Sequence, residues 1–156
     1  MSGGATSGEL LVHGTCIAMS ASGALLRGAP GSGKSDLALR FISLFGVADG
    51  GIQGACLVAD DQVLLSREGR GLVARSPETI AGRLEVRGVG IVEVPHCERT
   101  PLTLVVDLVA AGDVPRMPPD PLPREDILGV QTPVVKLNPF EISSPVKLKL
   151  VLTGRP

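Results

Sequence analysis

Residues 28–35 read GAPGSGKS, and a stretch of the form G-x-x-x-x-G-K-S tolerates few surroundings. It is the phosphate-binding loop of Walker A type, which needs a strand ahead of it and a helix behind it. The backbone N–H groups of such a loop point inward at phosphate oxygens, so Gly28, Gly31 and Gly33 supply the tight, partly left-handed turns. Ala29, Pro30 and Ser32 complete it. Lys34 is expected to reach the β- and γ-phosphates, Ser35 to ligate Mg²⁺ through its hydroxyl, and the helix from Ser35 to add its positive end. A chance match in a chain with 20 glycines is the plain alternative. The neighbours argue against it. Residues 24–27 read as a short strand, and SDLALRFISLF (35–45) places apolar residues at 37, 38, 41, 42, 44 and 45, as in a helix packed on a sheet. Gly46 is its expected stop.

Composition removes several classes of partner. Of 156 residues, 44% are hydrophobic, enough for a packed core, yet only 2% are aromatic, with no Trp or Tyr. Val, Leu, Ile and Ala must form that core. A surface that stacks successive bases on aromatic rings is not expected, and a net charge of −1 offers no basic excess for a phosphate backbone. No nucleic acid is expected as partner. Cys16, Cys56 and Cys97 show no metal-ligand spacing and are odd in number, which reads as three reduced thiols in a cytoplasmic protein. The start MSGGATSGEL lacks a basic region followed by an apolar run, and no run is long enough to span a bilayer.

Along the chain, residues 1–8 read as a loose tail and 9–156 as a single domain. LLVHGTCIAM (10–19) is a strand broken at Gly14. GVADGGIQG (46–54) is a glycine-rich connection. CLVADDQVLLSREGRGLVARS (56–76) reads as a strand, two acids, a second strand, a turn and a third strand. GRLEVRGVGIVEVP (82–95) alternates like a strand interrupted at Gly88 and Gly90, and PLTLVVDLV (101–109) is a near-continuous apolar strand of a sheet buried on both faces. Five prolines in 115–123 require an exposed crossing loop. PVKLKLVL (145–152), alternating Lys with aliphatics, predicts a half-exposed last strand. Strands outnumber helices, so the fold class is strand-rich α/β with a helix following the P-loop.

A phosphoryl-transfer site also needs an acid. LTLVVD ends in Asp107 and matches a Walker B strand better on pattern, although apolar LVAA follows it. CLVADD ends in Asp60 and Asp61. Two adjacent acids on an extended chain point to opposite faces, so one can serve the phosphate site while the other points away. A solvated turn is the plain alternative.

Three segments in order then resemble one family: HGT at 13–15 with the loop GAPGSGKSDLAL, LVADDQV at 57–63, and LEVRGVGIVEV at 84–94. They are similar to the catalytic domain of HPr kinase/phosphorylase, in the short form found in alphaproteobacteria. The likeness runs from about residue 10 to 109. It implies a P-loop kinase domain of the HPr kinase/PEP carboxykinase type that uses ATP and Mg²⁺ to phosphorylate a serine of the phosphocarrier HPr or a paralogue. The same site in the family can run phosphorolysis. By position, the resemblance makes Asp60 the base that takes the serine proton, puts Lys34 on the phosphates, Ser35 and Glu85 on Mg²⁺, His13 at the site, and Arg87 in the signature loop with Gly88 and Gly90. Each has a plain alternative: a structural histidine at 13, a surface Glu85–Arg87 ion pair, a bulge at the two glycines.

The sequence departs from the long members of that family at one catalytic element. Where they carry Gly-Arg-Asn, this chain reads TPVVKLNPFE (132–141), with Lys136 the nearest cation and Asn138 the only amide. Lysine lacks the guanidinium fork. Two other classes therefore remain: a nucleotide sensor without catalysis, and a P-loop kinase of a small molecule. The long members are hexamers, so a homo-oligomer is an expectation of the same resemblance.

Overall fold

The computed structural model describes residues 8–46, 54–77 and 82–154. Residues 1–7 of the expected tail at 1–8, and most of the 46–54 connection, lie outside these. Eleven strands are described: β1 Glu9–His13, β2 Thr15–Met19, β3 Ser22–Arg27, β4 Cys56–Ala59, β5 Gln62–Glu68, β6 Gly71–Arg75, β7 Arg83–Val86, β8 Gly90–Glu93, β9 Arg99–Leu108, β10 Arg124–Ile127 and β11 Val130–Leu137. Two α-helices accompany them, α1 Lys34–Phe45 and α2 Ser144–Leu152.

The main sheet runs β1-β5-β6-β9-β3-β2-β4, with β11 also beside β9 and β10 beside β11. Its centre is parallel. β3 and β11 both run with β9, in the registers Arg27↔Asp107 and Lys136↔Asp107. β9 is ten residues long and serves two neighbours on one side: Arg99–Leu102 pair with β6, and Val105–Leu108 with β11. Leu104, Val105 and Val106 are thus buried on both faces, while ahead of them Pro101 and Thr103 are exposed and the strand alternates.

Alternation divides the buried residues between two clusters. Ala24, Leu26, Leu104 and Val106 face α1 and α2, meeting Leu37, Ala38, Phe41, Ile42, Leu148 and Leu152. Leu25 and Val105 face the other way, toward Val58, Val63, Leu65, Leu72, Ala74 and Ile127. That second cluster joins β4 and β5 to β6 across the curl of the sheet, and β2 touches β5 although three strands separate them in order.

α1 forms where the apolar spacing requires it. Its start is Gly33 at φ 95, a backbone that side chains rarely adopt. Its end at Gly46 has ordinary helical φ, and glycine is needed there for closeness instead: a Cβ would lie 2.4 Å from the Ile42 carbonyl oxygen.

Three expectations are corrected. Residues 145–152 form α2, not a strand. Over eight residues, alternate aliphatics at 146, 148, 150 and 152 fit period two. Of those four, the helix buries only Leu148 and Leu152, four apart, and leaves Val146 and Leu150 exposed. Residues 83–93 form a hairpin, β7–β8, a separate two-stranded sheet with its tip at 87–89. Finally, Cys56 and Cys97 form a disulfide, so only Cys16 is free. It is fully buried, and burial pushes its thiol up to about 12. Nothing in the composition paired the other two. Their meeting depends on β4, where Leu57 N–H donates to Pro95 and Cys97 N–H donates to Leu57. No described helix is long and apolar enough to cross a membrane.

Candidate phosphoryl-transfer site

The parallel centre of the sheet delivers the glycine loop at the carboxyl end of β3, where ligands gather in open α/β sheets. Gly28, Ala29 and Pro30 are exposed. A turn closes the loop, Ser32 N–H to Ala29 C=O at 3.0 Å. Lys34 Nζ donates to the carbonyls of Gly28 (2.7 Å) and Ala29 (3.1 Å), so its ammonium lies against the loop. The first intrahelical bond is Leu37 N–H to Gly33 C=O, which leaves the N–H groups of the first turn for an anion. Ser32 Oγ is buried without a hydrogen-bond partner. An orphaned hydroxyl in this loop, beside an ammonium and a helix N-terminus, fits a phosphate group.

The acid comes from β4. Ser35 Oγ donates to Asp60 Oδ1 at 2.8 Å, and Thr15 Oγ1 donates to the same oxygen at 2.8 Å. Thr15 is fully buried on β2. Asp60 is therefore oriented from two sides, by the hydroxyl of the loop serine and by that of Thr15. Asp61, next along, is exposed and sits at φ 73. A non-glycine residue held in the left-handed region costs about 1 to 3 kcal/mol and persists only where its surroundings fix it. Here Gly14 N–H bonds its carbonyl, and Gln62 N–H bonds that of Asp60. His13 pairs with Gln62, so the β1 end that carries it lies beside this elbow.

Asp107 has another partner. Arg27, the last residue before the loop, spends its whole fork on two carboxylates: Nε and Nη2 on Asp107 at 2.8 and 3.2 Å, Nη1 and Nη2 on Glu125 at 2.8 and 3.0 Å. The hydrogen bonds to Glu125 and Asp107 raise the guanidinium above its ordinary value, and the same bond holds Glu125 below its own. The Walker B resemblance of LTLVVD thus marks an ion pair that fixes the root of the loop. Neither Arg27 nor Thr15 was singled out as a site residue by the sequence. HGT contained Thr15, but its partner lies 45 residues away.

A model of the HPr serine kinase C-terminal domain matches residues 5–138. The chain belongs to this family. Among curated relatives, the HPr kinase/phosphorylase of Malacoplasma penetrans is 28% identical over 162 residues, covering 92% of this chain and 50% of its own length. That of Leptothrix cholodnii is 36% identical over 130 residues, covering 76% of this chain and 37% of its own. The chain thus spans about half or less of these relatives. The structure of the HPr(Ser) kinase/phosphatase from Coxiella burnetii superposes with a TM-score of 0.73 over 93% of this chain and 90% of that one, at 24% identity. That likeness establishes the strand-rich α/β fold.

Of the residues the family resemblance points to, the structure joins Lys34, Ser35 and Asp60, with His13 on the adjoining strand end. Glu85 and Arg87 stand apart. Leu84 anchors the hairpin in the core beneath α1, while Glu85 and Arg87 are exposed. No described hydrogen bond or ion pair links them to the loop or to each other. Among the described residues, no group of three His, Cys, Asp or Glu side chains is placed to hold a metal. Asn138 is a brace: its Nδ2 donates to the Val109 carbonyl and its Oδ1 accepts from Phe140 N–H.

Proposed function

We propose that this chain is an ATP-dependent protein-serine kinase domain whose acceptor is the phosphocarrier HPr or a paralogue, acting in the cytoplasm. The observation that carries the reading is Asp60, bound by Ser35 of the glycine loop and by Thr15. A carboxylate on the loop serine is the arrangement by which P-loop enzymes hold Mg²⁺. Lys34 and the loop N–H groups would hold the β- and γ-phosphates, and Ser35 with Asp60 would hold Mg²⁺. Bound there, Mg²⁺ supplies charge neutralisation at the phosphates. Glu85 on the β7–β8 hairpin is kept as a further metal-side carboxylate and Arg87 as a site cation, on the resemblance alone.

This arrangement divides the two acids. The hydrogen bonds to Asp60 Oδ1 support a metal-side role for it, in place of the base. The exposed Asp61 is the better base: it would take the serine proton as the serine oxygen attacks the γ-phosphorus and ADP leaves. In phosphorolysis the same carboxyl would return that proton while inorganic phosphate attacks the phosphoserine, giving pyrophosphate. His13, on the adjoining strand end, would steady the elbow.

Two variants test the division. Asp61→Asn is expected to lower phosphate transfer at least a hundredfold with little change in Mg·ATP affinity. Asp60→Ala is expected to weaken Mg·ATP binding itself. Transfer surviving in Asp61→Asn would return the base to Asp60. A nucleotide sensor is the second reading, favoured by the missing arginine, and it predicts nucleotide binding with no transfer in the unmodified chain.

A further inference from the structure

Three phenylalanines are the entire aromatic complement of the chain. Phe41 is fully buried and meets Phe45 edge to face, centroids 5.5 Å apart. Phe45 is partly buried and carries Lys149 Nζ 4.8 Å from its ring centre. Phe140 is 66% exposed. A large apolar ring left in water while the other two are packed calls for an occupant.

The turn that presents Phe140 is tied down from several sides. Asn138 receives the Phe140 N–H, and Ser144 Oγ donates to the Asn138 carbonyl at 2.6 Å. Arg40 of α1 donates to the carbonyls of Pro139 and Glu141, and is itself held by Asp36 at 3.0 Å. The ring stands against the glycine loop: a Cβ on Gly33 would come within 3.1 Å of Phe140 Cε1 and of Pro139 Cβ. From there a groove of about 580 Å³ runs along α1, lined by Asp36, Leu39, Leu44, Phe140 and Ile142, with Ser43 and Glu141 among its polar members. That volume lies in the range of small-molecule sites. Asp36, the residue after Lys34–Ser35, is part of its lining, so the groove adjoins the end of the loop at the helix terminus.

We infer that this groove takes the purine base of the nucleotide, with Phe140 as the stacking platform. The inference rests on the loop of residues 28–35 binding the triphosphate. The occupant has one flat apolar face, a polar edge, and a phosphate tail ending at the loop. The groove offers an aromatic face, aliphatic walls, a hydroxyl and a carboxylate, continuous with that loop. Arg40 is a positioning residue: it holds the Phe140 turn on α1.

Calorimetric titration with Mg²⁺, using ATP and inorganic tripolyphosphate as separate probes, tests it on the whole chain. Phe140→Ala is expected to weaken ATP binding by about tenfold or more, the usual scale of base–aromatic stacking, and to leave tripolyphosphate binding unchanged. Phe140→Trp should restore ATP affinity. Equal loss of both probes in Phe140→Ala would overturn the inference, the ring then only shaping the loop. So would undiminished ATP binding with a raised KM for the carrier, which would make the patch a protein-docking face. An unmodified chain that binds neither probe would defeat the phosphate-site reading and this inference with it. One that binds tripolyphosphate as tightly as ATP would defeat this inference alone.

Discussion

Thr15 is the residue on which the orientation of Asp60 turns. It is fully buried, and its hydroxyl reaches a carboxylate oxygen that Ser35 also reaches. Thr15→Val keeps the shape and removes the donor, and hydrogen bonds to charged groups are worth about 1.5 to 3 kcal/mol. The variant is expected to stay folded, lose stability of that order in denaturant unfolding, and bind Mg·ATP more weakly. At this scale the sequence was legible in part. Lys34, Ser35 and the acid pair announce themselves because their spacing is local. The different surroundings of Asp60 and Asp61 do not, because they depend on two hydroxyls distant in sequence. Asp107 misled for the same reason: the residue that occupies it, Arg27, is 80 positions away.

Strands β3, β9 and β10 are joined at their ends by Arg27, Asp107 and Glu125, directly ahead of the glycine loop. Glu125 is held below its ordinary value of 4.5 by Arg27. A group whose folded pKa is depressed stabilises above its unfolded value and loses that contribution as pH falls through the folded one. Stability should therefore fall on acidification below about pH 4.5, and Glu125→Gln should flatten that part of the curve while lowering stability at neutral pH. Thermal unfolding across pH 3 to 7 reads both. The Cys56–Cys97 disulfide works on a different pair of elements. It fastens the return limb of the β7–β8 hairpin to β4, whose end carries Asp60, and spans 41 residues. Chain entropy puts its contribution at about 4 kcal/mol. Glutathione, by exchange to two thiols and glutathione disulfide, should lower the unfolding midpoint, and Cys97→Ser should be insensitive to it. The disulfide was not readable from the sequence, and α2 showed there through one local sign alone. The first is a tertiary meeting. The second was a contest of periods settled by packing: Leu148 and Leu152 reach the core as a helix, and Pro145 in its first turn was the local sign that favoured one.

The whole molecule puts one face of a curled sheet under two helices and leaves the carboxyl ends of its parallel strands for chemistry. The architecture was legible because a glycine loop between a strand and an amphipathic helix permits few alternatives. Around that centre, the registers bring Ser35, Asp60 and Thr15 together, set His13 at the elbow and root the loop through Arg27. On the proposed reading, this arrangement would hold a nucleotide and leave the exposed Asp61 carboxylate for an acceptor hydroxyl. The most direct measurement is the intact mass of HPr from the same organism after incubation with this chain, ATP and Mg²⁺. The account predicts a gain of one phosphate on serine, absent with Asp61→Asn. An HPr of unchanged mass, from a chain that binds Mg·ATP under the same conditions, would contradict it and leave a nucleotide sensor in its place.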